Sequence, residues 1–124
     1  VGEKGHFVQP TIFGNVQGDM RIAKEEIFGP VLCAQSFSSD DFEIIAKRAN
    51  DTNYGLSGSV WSQDISTAHK MAMLIDAGQV SINCHAAVDP AIPFGGNKQS
   101  GWGREFGQEG LEPYLKTKAT TVIF

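Results

Sequence analysis

Apolar and polar positions alternate between two periods along this chain, and the changes of period mark its elements. Phe7, Val8, Thr11, Ile12 and Phe13 are strand formers, interrupted by Pro10, which points to an edge or a bulge. Residues 14–19 hold Asn, Gly and Asp and predict a turn. Residues 20–26 predict a short helical turn capped by Asp19, with Met20, Ile22 and Ile27 as core. Residues 31–37 are mostly apolar and predict a strand ended by Ser38 and Ser39. Asp40 then opens a helix, with Glu43 as its capping-box partner. Phe42, Ile45, Ala46 and Ala49 fall on one helical stripe, while Lys47, Arg48 and Asp51 form the wet side. Residues 50–55 break that helix and residues 56–61 predict the next strand. After a turn at 62–64, a second helix is expected over 65–77, with Ile65, Ala68, Ala72 and Ile75 as its stripe and Gly78 as its C-cap. Residues 79–83 form another short strand, with Val80 and Ile82 on one face.

From residue 31 to residue 83 the order is therefore strand, helix, strand, helix, strand. That order predicts an α/β fold with parallel strands, right-handed crossovers and helices over the sheet. Ligands of open α/β sheets bind beyond the carboxyl ends of the strands, which makes residues 84–93 a candidate pocket wall. Helical character returns over 109–116, where Pro113 must lie in the first turn. Residues 117–124 alternate and are rich in Thr, Val and Ile. As an unpaired edge such a strand is a liability, so a partner sheet is expected to receive it.

Composition narrows this picture. A chain of 124 residues with 41% hydrophobic content suits one globular domain or a piece of one. The net charge is −4 and the basic residues are scattered, so no nucleic-acid footprint is present. No apolar run approaches a membrane span. Cys33 and Cys84 stand far apart without CxxC or Cys/His ligand spacing, and a reduced, cytoplasmic compartment is the expectation. The chain opens at Val1 without a Met, as a fragment, a processed chain or a partial sequence would.

The densest chemistry lies in Lys24-Glu25-Glu26-Ile27-Phe28-Gly29-Pro30-Val31. If this stretch is extended, Glu26 and Phe28 point one way and Ile27 the other. A carboxylate has two acceptor oxygens, enough for the neighbouring hydroxyls of a sugar, and a ring beside it offers a face to a heteroaromatic base. Local chemistry alone favours the plainer reading, a solvated Glu26 and a core Phe28. Cys84, His85 and Asp89 invite a metal or nucleophile reading, but no further ligands, base or oxyanion site stand at useful spacing, and a plain loop is the better account. His69 reads as a surface residue of the second helix. Residues 93–107 are rich in glycine, yet Gly95-Gly96-Asn97-Lys98-Gln99-Ser100 does not fit a P-loop. Those glycines are expected to permit the turns that position Phe94 and Arg104.

Three blocks carry a resemblance to a known family. Glu25-Glu26-Ile27-Phe28-Gly29-Pro30-Val31, the upstream Gly5-His6-Phe7-Val8-Gln9-Pro10-Thr11, and the later Pro93-Phe94-Gly95-Gly96-Asn97-Lys98-Gln99-Ser100-Gly101 with Gly103-Arg104-Glu105 resemble the NAD(P)-dependent aldehyde dehydrogenase superfamily in order and spacing. The match is to about the last quarter of such an enzyme. It implies an oxidoreductase that converts an aldehyde to a carboxylic acid with NAD or NADP. It also implies the parallel-sheet portion of the catalytic domain over residues 1–115 and an oligomerisation strand over 116–124, serving a homodimer or homotetramer. By motif position, Glu26 matches the residue that holds the nicotinamide-ribose hydroxyls and Phe28 the ring beside the nicotinamide. Phe94 and Val88 match positions lining the aldehyde tunnel, and His85 is the neighbouring residue expected to touch substrate. The family's nucleophile, in a Gly-Gln-x-Cys setting, and its base, in a Glu-Leu-Gly-Gly-Lys setting, are both missing here, as is the Gly-rich dinucleotide segment. No catalytic residue or metal ligand is therefore expected in this chain, and its partner is the remainder of the enzyme. The rival reading is a non-catalytic α/β association module that pairs through its terminal strand.

Overall fold

A strand lasts only as long as a neighbour can take its hydrogen bonds, and this rule sets the length of every strand here. The computed structural model describes residues 2, 4–38 and 40–124. Strand β1 (Thr11–Phe13) runs parallel to β2 (Val31–Cys33), with Thr11 opposite Val31 and Phe13 opposite Cys33. The chain turns away from this ladder after Phe13, and Asn15 takes a positive φ of 56°. The strand expected over 31–37 is cut to three residues; past Cys33, Ala34 still donates to the Phe13 carbonyl (2.8 Å) and accepts the Val16 N–H (3.2 Å), beyond the turn at Asn15. The expected strand over 7–13 likewise begins only after Pro10, whose ring nitrogen cannot donate. Ser39, expected to close the longer strand with Ser38, lies outside the described residues.

The two long helices follow their predicted stripes with corrected ends. Helix α2 (Phe42–Ala49) is capped by Asp41, not Asp40: the Asp41 carboxylate accepts the backbone N–H groups of Glu43 at 2.9 Å and Ile44 at 3.4 Å. One residue decides the cap because only Asp41 stands at the N-terminal boundary, where free amides point back along the axis. Phe42, Ile45 and Ala46 turn inward, whereas Ala49 is exposed. Between β3 (Tyr54–Gly55) and β4 (Ser57–Val60) the chain steps from one ladder to another. Helix α3 (Ile65–Leu74) is capped by Asp64, which accepts from Ser66 N and Thr67 N. Its inner stripe is Ala68, Met71 and Ala72, with Ile75 half-buried just past its end; Ala68 is fully buried, while the expected Ile65 is exposed. The short α1 (Arg21–Lys24) follows Met20, which makes no side-chain cap, so Asp19 does not cap it.

Strand β4 pairs in parallel with β5 (Gln79–Ile82), Ser57 opposite Gln79 and Val60 opposite Ile82, with α3 as the crossover. Gly58 lets α3 lie close, because a Cβ there would stand 3.0 Å from Ile75 Cγ2. The predicted β-α-β-α-β run thus closes its second half as one parallel unit. Among the described residues its first strand does not join that unit; β2 pairs with β1 instead. A short antiparallel ladder, unforeseen in the sequence, joins β3 to β6 (Asn97–Lys98), Gly55 opposite Asn97.

Two further corrections concern chain ends. The second helix stops at Leu74, because Ile75 is already extended (ψ 120°), so Gly78 is not its C-cap. Gly78 serves a different need: a Cβ on it would lie 1.6 Å from the Gly95 carbonyl oxygen. The helix expected over 109–116 is one 3₁₀ turn, Glu112–Tyr114, with Pro113 inside that first turn, where its missing N–H costs nothing. Residues 117–124 join no ladder within the described chain, and Val122, Ile123 and Phe124 stand exposed. Val16, Ala46, Ala68 and Met71 are the buried apolar residues among those described, whereas Ile12, Leu32 and Met73 lie open. That is far more exposed hydrocarbon than a soluble monomer of this size ordinarily leaves open. No helix of the described residues is long and apolar enough to cross a membrane.

The tight approach at Gly78 generates a test. Gly78→Ala in the complete protein is expected to cost about 3 kcal/mol or more, at or above the upper end of overpacking penalties. Gly14→Ala, with nothing within 4 Å of the added carbon, is expected to stay within about 0.5 kcal/mol. Chemical denaturation of both variants decides it; equal losses would contradict the close approach.

Candidate functional site

The segment after α1 bends where an extended strand was expected. Gly29 N–H donates to the Ile27 carbonyl at 2.9 Å, and Val31 N–H to the Gly29 carbonyl at 2.8 Å. These are two successive three-residue turns, centred on Phe28 and Pro30, and proline's fixed φ suits the second. The alternation of side chains assumed for Glu26 to Phe28 is therefore not what sets their directions. The turn at Phe28 holds its ring out from the backbone, 93% exposed, and Glu26 is exposed as well. Both are exposed, and the described residues leave the Phe28 ring uncovered. Ile27 and Met20, expected in the core, are also exposed here.

Glu26 lines a cleft of about 380 Å³ that also includes Asn50, Gly55, Asp76 and Ser100. Phe28 stands outside that cleft. The far wall is hydrogen-bonded throughout. Asn50 Nδ2 donates to the Leu74 carbonyl at 2.8 Å, and Asn50 Oδ1 accepts the Asp76 N–H at 2.9 Å. Gly55 N–H donates to Ser100 Oγ at 3.0 Å. The Asp76 carboxyl titrates below the ordinary 3.8, first because the Asn97 side chain donates to it and then because Lys98 does, against a raising effect of burial. Asp64 is lowered too, chiefly by the Thr67 hydroxyl.

The second group of candidates lies past β5. Asn83, at a positive φ of 54°, clamps Ser62: its Oδ1 accepts the Ser62 N–H and its Nδ2 donates to the Ser62 carbonyl, both at 2.9 Å. The loop then folds back along the face of β4 and β5 that bears Ser59 and Gln79. His85 Nδ1 lies 2.9 Å from Ser59 Oγ, and Gln79 Nε2 donates to the Ala87 carbonyl at 2.8 Å. His85 and Val88 are exposed on this loop, whereas Cys84 is half-buried. Asp89 is occupied locally, accepting the Ala91 N–H at 2.8 Å. No group of three or more potential metal ligands exists among the described residues.

Phe94 is half-buried and is held by two antiparallel backbone bonds to Glu105, at 2.8 and 2.7 Å. Arg104 donates to the carbonyls of Gly96 (2.8 Å) and Gly103 (2.9 Å) and to Asn97 Oδ1 (2.8 Å). The glycines do position Phe94 and Arg104, through close contact: a Cβ on Gly95 would meet the Gly103 carbonyl oxygen at 2.3 Å. Asn50, Asp76, Asn97 and Ser100 were not legible as cleft residues, since the bonds that join them across the cleft (Asn50 to Asp76, Asp76 to Asn97, Ser100 to Gly55) span 21 to 45 residues and no local spacing marks them.

Residues 1–120 match the aldehyde dehydrogenase family. The chain belongs to it. Aldehyde dehydrogenase 1A1 of Gallus gallus is 51% identical over 121 residues, 98% of this chain and 23% of that relative. Aldehyde dehydrogenase family 2 member B4, mitochondrial, of Arabidopsis thaliana is 49% identical over 119 residues, 96% of this chain and 22% of the relative. The chain thus spans about a quarter of the length of these aldehyde dehydrogenases. Among solved structures, the NAD+ complex of aldehyde dehydrogenase from Bacillus cereus superposes with a TM-score of 0.86 at 48% identity, over 94% of this chain and 23% of that one. Indole-3-acetaldehyde dehydrogenase of P. syringae, a mutant in complex with NAD+ and IAA, gives 0.84 at 46% identity, over 92% and 23%. Both are aldehyde dehydrogenases of the same mixed α/β fold.

The lowered Asp76 pKa has a signed consequence. A carboxyl whose folded pKa lies below its unfolded 3.8 adds stability above that value and loses it as pH falls through the folded pKa. Asp76→Asn is expected to flatten the loss of stability below about pH 4. Denaturation midpoints between pH 2 and 5 check this; an unchanged acid limb would remove Asp76 from the linkage.

Proposed function

We propose that this chain is the C-terminal part of an NAD(P)-dependent aldehyde dehydrogenase, supplying one side of the cofactor site and part of the aldehyde pocket. In that enzyme an aldehyde is oxidised to a carboxylic acid. The single observation that carries the reading is the exposed Glu26 carboxylate at the lip of an open cleft, with the Phe28 ring held outward two residues later. The residues fit a nicotinamide nucleotide: a solvated carboxylate can accept from both ribose hydroxyls, and an uncovered ring can pack beside a heterocycle. When bound, the nicotinamide ring supplies the acceptor for the electrons that leave the aldehyde. Glu26 orients the ribose, and Phe28 shields the ring from water. Phe94, Val88 and His85 form the aldehyde wall, carried on the loop that Ser59 and Gln79 tie down and on the Phe94–Glu105 pair. The nucleophilic cysteine and the basic glutamate come from the remainder of the enzyme.

The relatives' structures with NAD+ support NAD as the cofactor, with NADP as the alternative. The exposed residues 116–124 are read as a strand that pairs with a second copy, giving a homodimer or homotetramer, and the compartment as cytoplasmic. The rival, a non-catalytic association module, shares that strand but gives Glu26 no task.

The first of two measurements separates them, and the second tests the division of labour. In the complete enzyme, Glu26→Gln is expected to raise the dinucleotide KM about tenfold, the loss of about one charge-assisted hydrogen bond, with the aldehyde KM unchanged. A cofactor KM that does not move would strike Glu26 from the site. The purified 124-residue chain is expected to form no NAD(P)H with any of several aldehydes; turnover by it would refute the division of labour.

A further inference from the structure

Two regions assigned above to different ligands are joined by side-chain hydrogen bonds, and one carboxamide makes the joint. Asn97 sits on β6, three residues after Phe94. Its Oδ1 accepts from the Arg104 guanidinium at 2.8 Å, and its Nδ2 donates to Asp76 Oδ1 at 3.1 Å. Arg104 is bonded on one side to the Gly96 and Gly103 carbonyls and precedes Glu105, the backbone partner of Phe94. Asp76 is bonded on the other side to Asn50, and its Oδ2 lies 3.4 Å from Lys98 Nζ. Lys98 in turn donates to the carbonyls of Asn50 (2.9 Å) and Thr52 (3.2 Å). Asp76, Asn50 and Thr52 all line the cleft whose lip is Glu26. There is no slack at either end, since Gly78 abuts the Gly95 carbonyl and Gly95 abuts that of Gly103.

We propose that Asn97 is a positioning residue: through Arg104 and Asp76 it fixes the Phe94 wall at a set height relative to the Glu26 cleft, and so governs how the aldehyde sits. This rests on the functional reading above. The chemistry requires a carboxamide at that point. Arg104 presents only donors and Asp76 presents only acceptors, so the residue between them must accept on one side and donate on the other. A carboxylate there faces Asp76 with no proton to share, and an apolar residue leaves the half-buried Asn97 position with Arg104 and Asp76 no longer joined.

The polarity can be reversed by exchanging the two residues. Asn97→Asp alone sets two carboxylates against each other. Combined with Asp76→Asn it restores a donor facing an acceptor, while a carboxylate faces Arg104. In the complete enzyme, Asn97→Asp is expected to raise the aldehyde KM about tenfold with the dinucleotide KM within about twofold, and the exchanged pair to return the aldehyde KM to within about threefold of wild type. Amide hydrogen exchange supplies a second readout that needs no turnover. The Phe94 and Glu105 N–H groups, which are bonded to each other's carbonyls, should exchange faster in Asn97→Asp and recover in the exchanged pair. Should Asn97→Asp fail to fold, Asn97→Ala takes its place with the same expected rise and the same faster exchange. Unchanged aldehyde KM and exchange in the single variant, or no recovery in the exchanged pair, would overturn the proposal. A wild-type enzyme without NAD(P)-dependent aldehyde oxidation would instead overturn the functional reading, and the exchange data would still judge Asn97.

Discussion

The contact on which the arrangement depends is a backbone against a backbone. The Gly95 carbonyl oxygen stands where any side chain at residue 78 would be, 1.6 Å from an ideal Cβ. Only a glycine there lets the segment after residue 93 close over the start of β5. From that closure follow the β3–β6 ladder, the Arg104 contacts with Gly96 and Gly103, and the antiparallel pairing of Phe94 with Glu105. A single methyl group would prise these apart, because close-packed interiors do not deform by that much.

The parallel β4–α3–β5 unit supplies the rigid floor. Ala68 and Met71 bury the inner stripe of the helix, and Gly58 admits it to the sheet. One face of the two strands meets α3; the other carries Ser59 and Gln79, and these hold the loop with His85 and Val88 by hydrogen bonds. Polar residues at alternate strand positions are commonly read as a solvent face. Here they are anchors for a loop that crosses back over the sheet. Asp89 is spent on a local bond to Ala91 N–H, while Asn83 ties the start of the loop to Ser62 across 21 residues.

Around this floor the chain is unusually open. Apolar residues on β1 and β2, on the outer side of α3, and throughout the final segment stand uncovered. Such surface is costly in water, and the chain spans about a quarter of its relatives' length. The uncovered faces and the short strands go together: a two-stranded ladder leaves each strand one free edge and buries little of either face.

Much of the local structure was legible. The α2 stripe through Phe42, Ile45 and Ala46, the start of α3 at Ile65, the strand at Gln79 and the order of these elements follow from hydrophobic periodicity, which depends only on residues two to four positions apart along the chain. The three motif blocks likewise named the family from residue identity alone. Tertiary structure decided what periodicity cannot reach. It selected Asp41 over Asp40 as the cap, ended α3 before Gly78, and trimmed the strand at Val31 to the length of its partner. It turned Phe28 outward through two tight turns. It also brought Asn97 to Asp76 across 21 residues and Lys98 to Asn50 across 48. Hydrogen bonds across such separations leave no repeating trace in a sequence, because their geometry is fixed only when distant segments have packed.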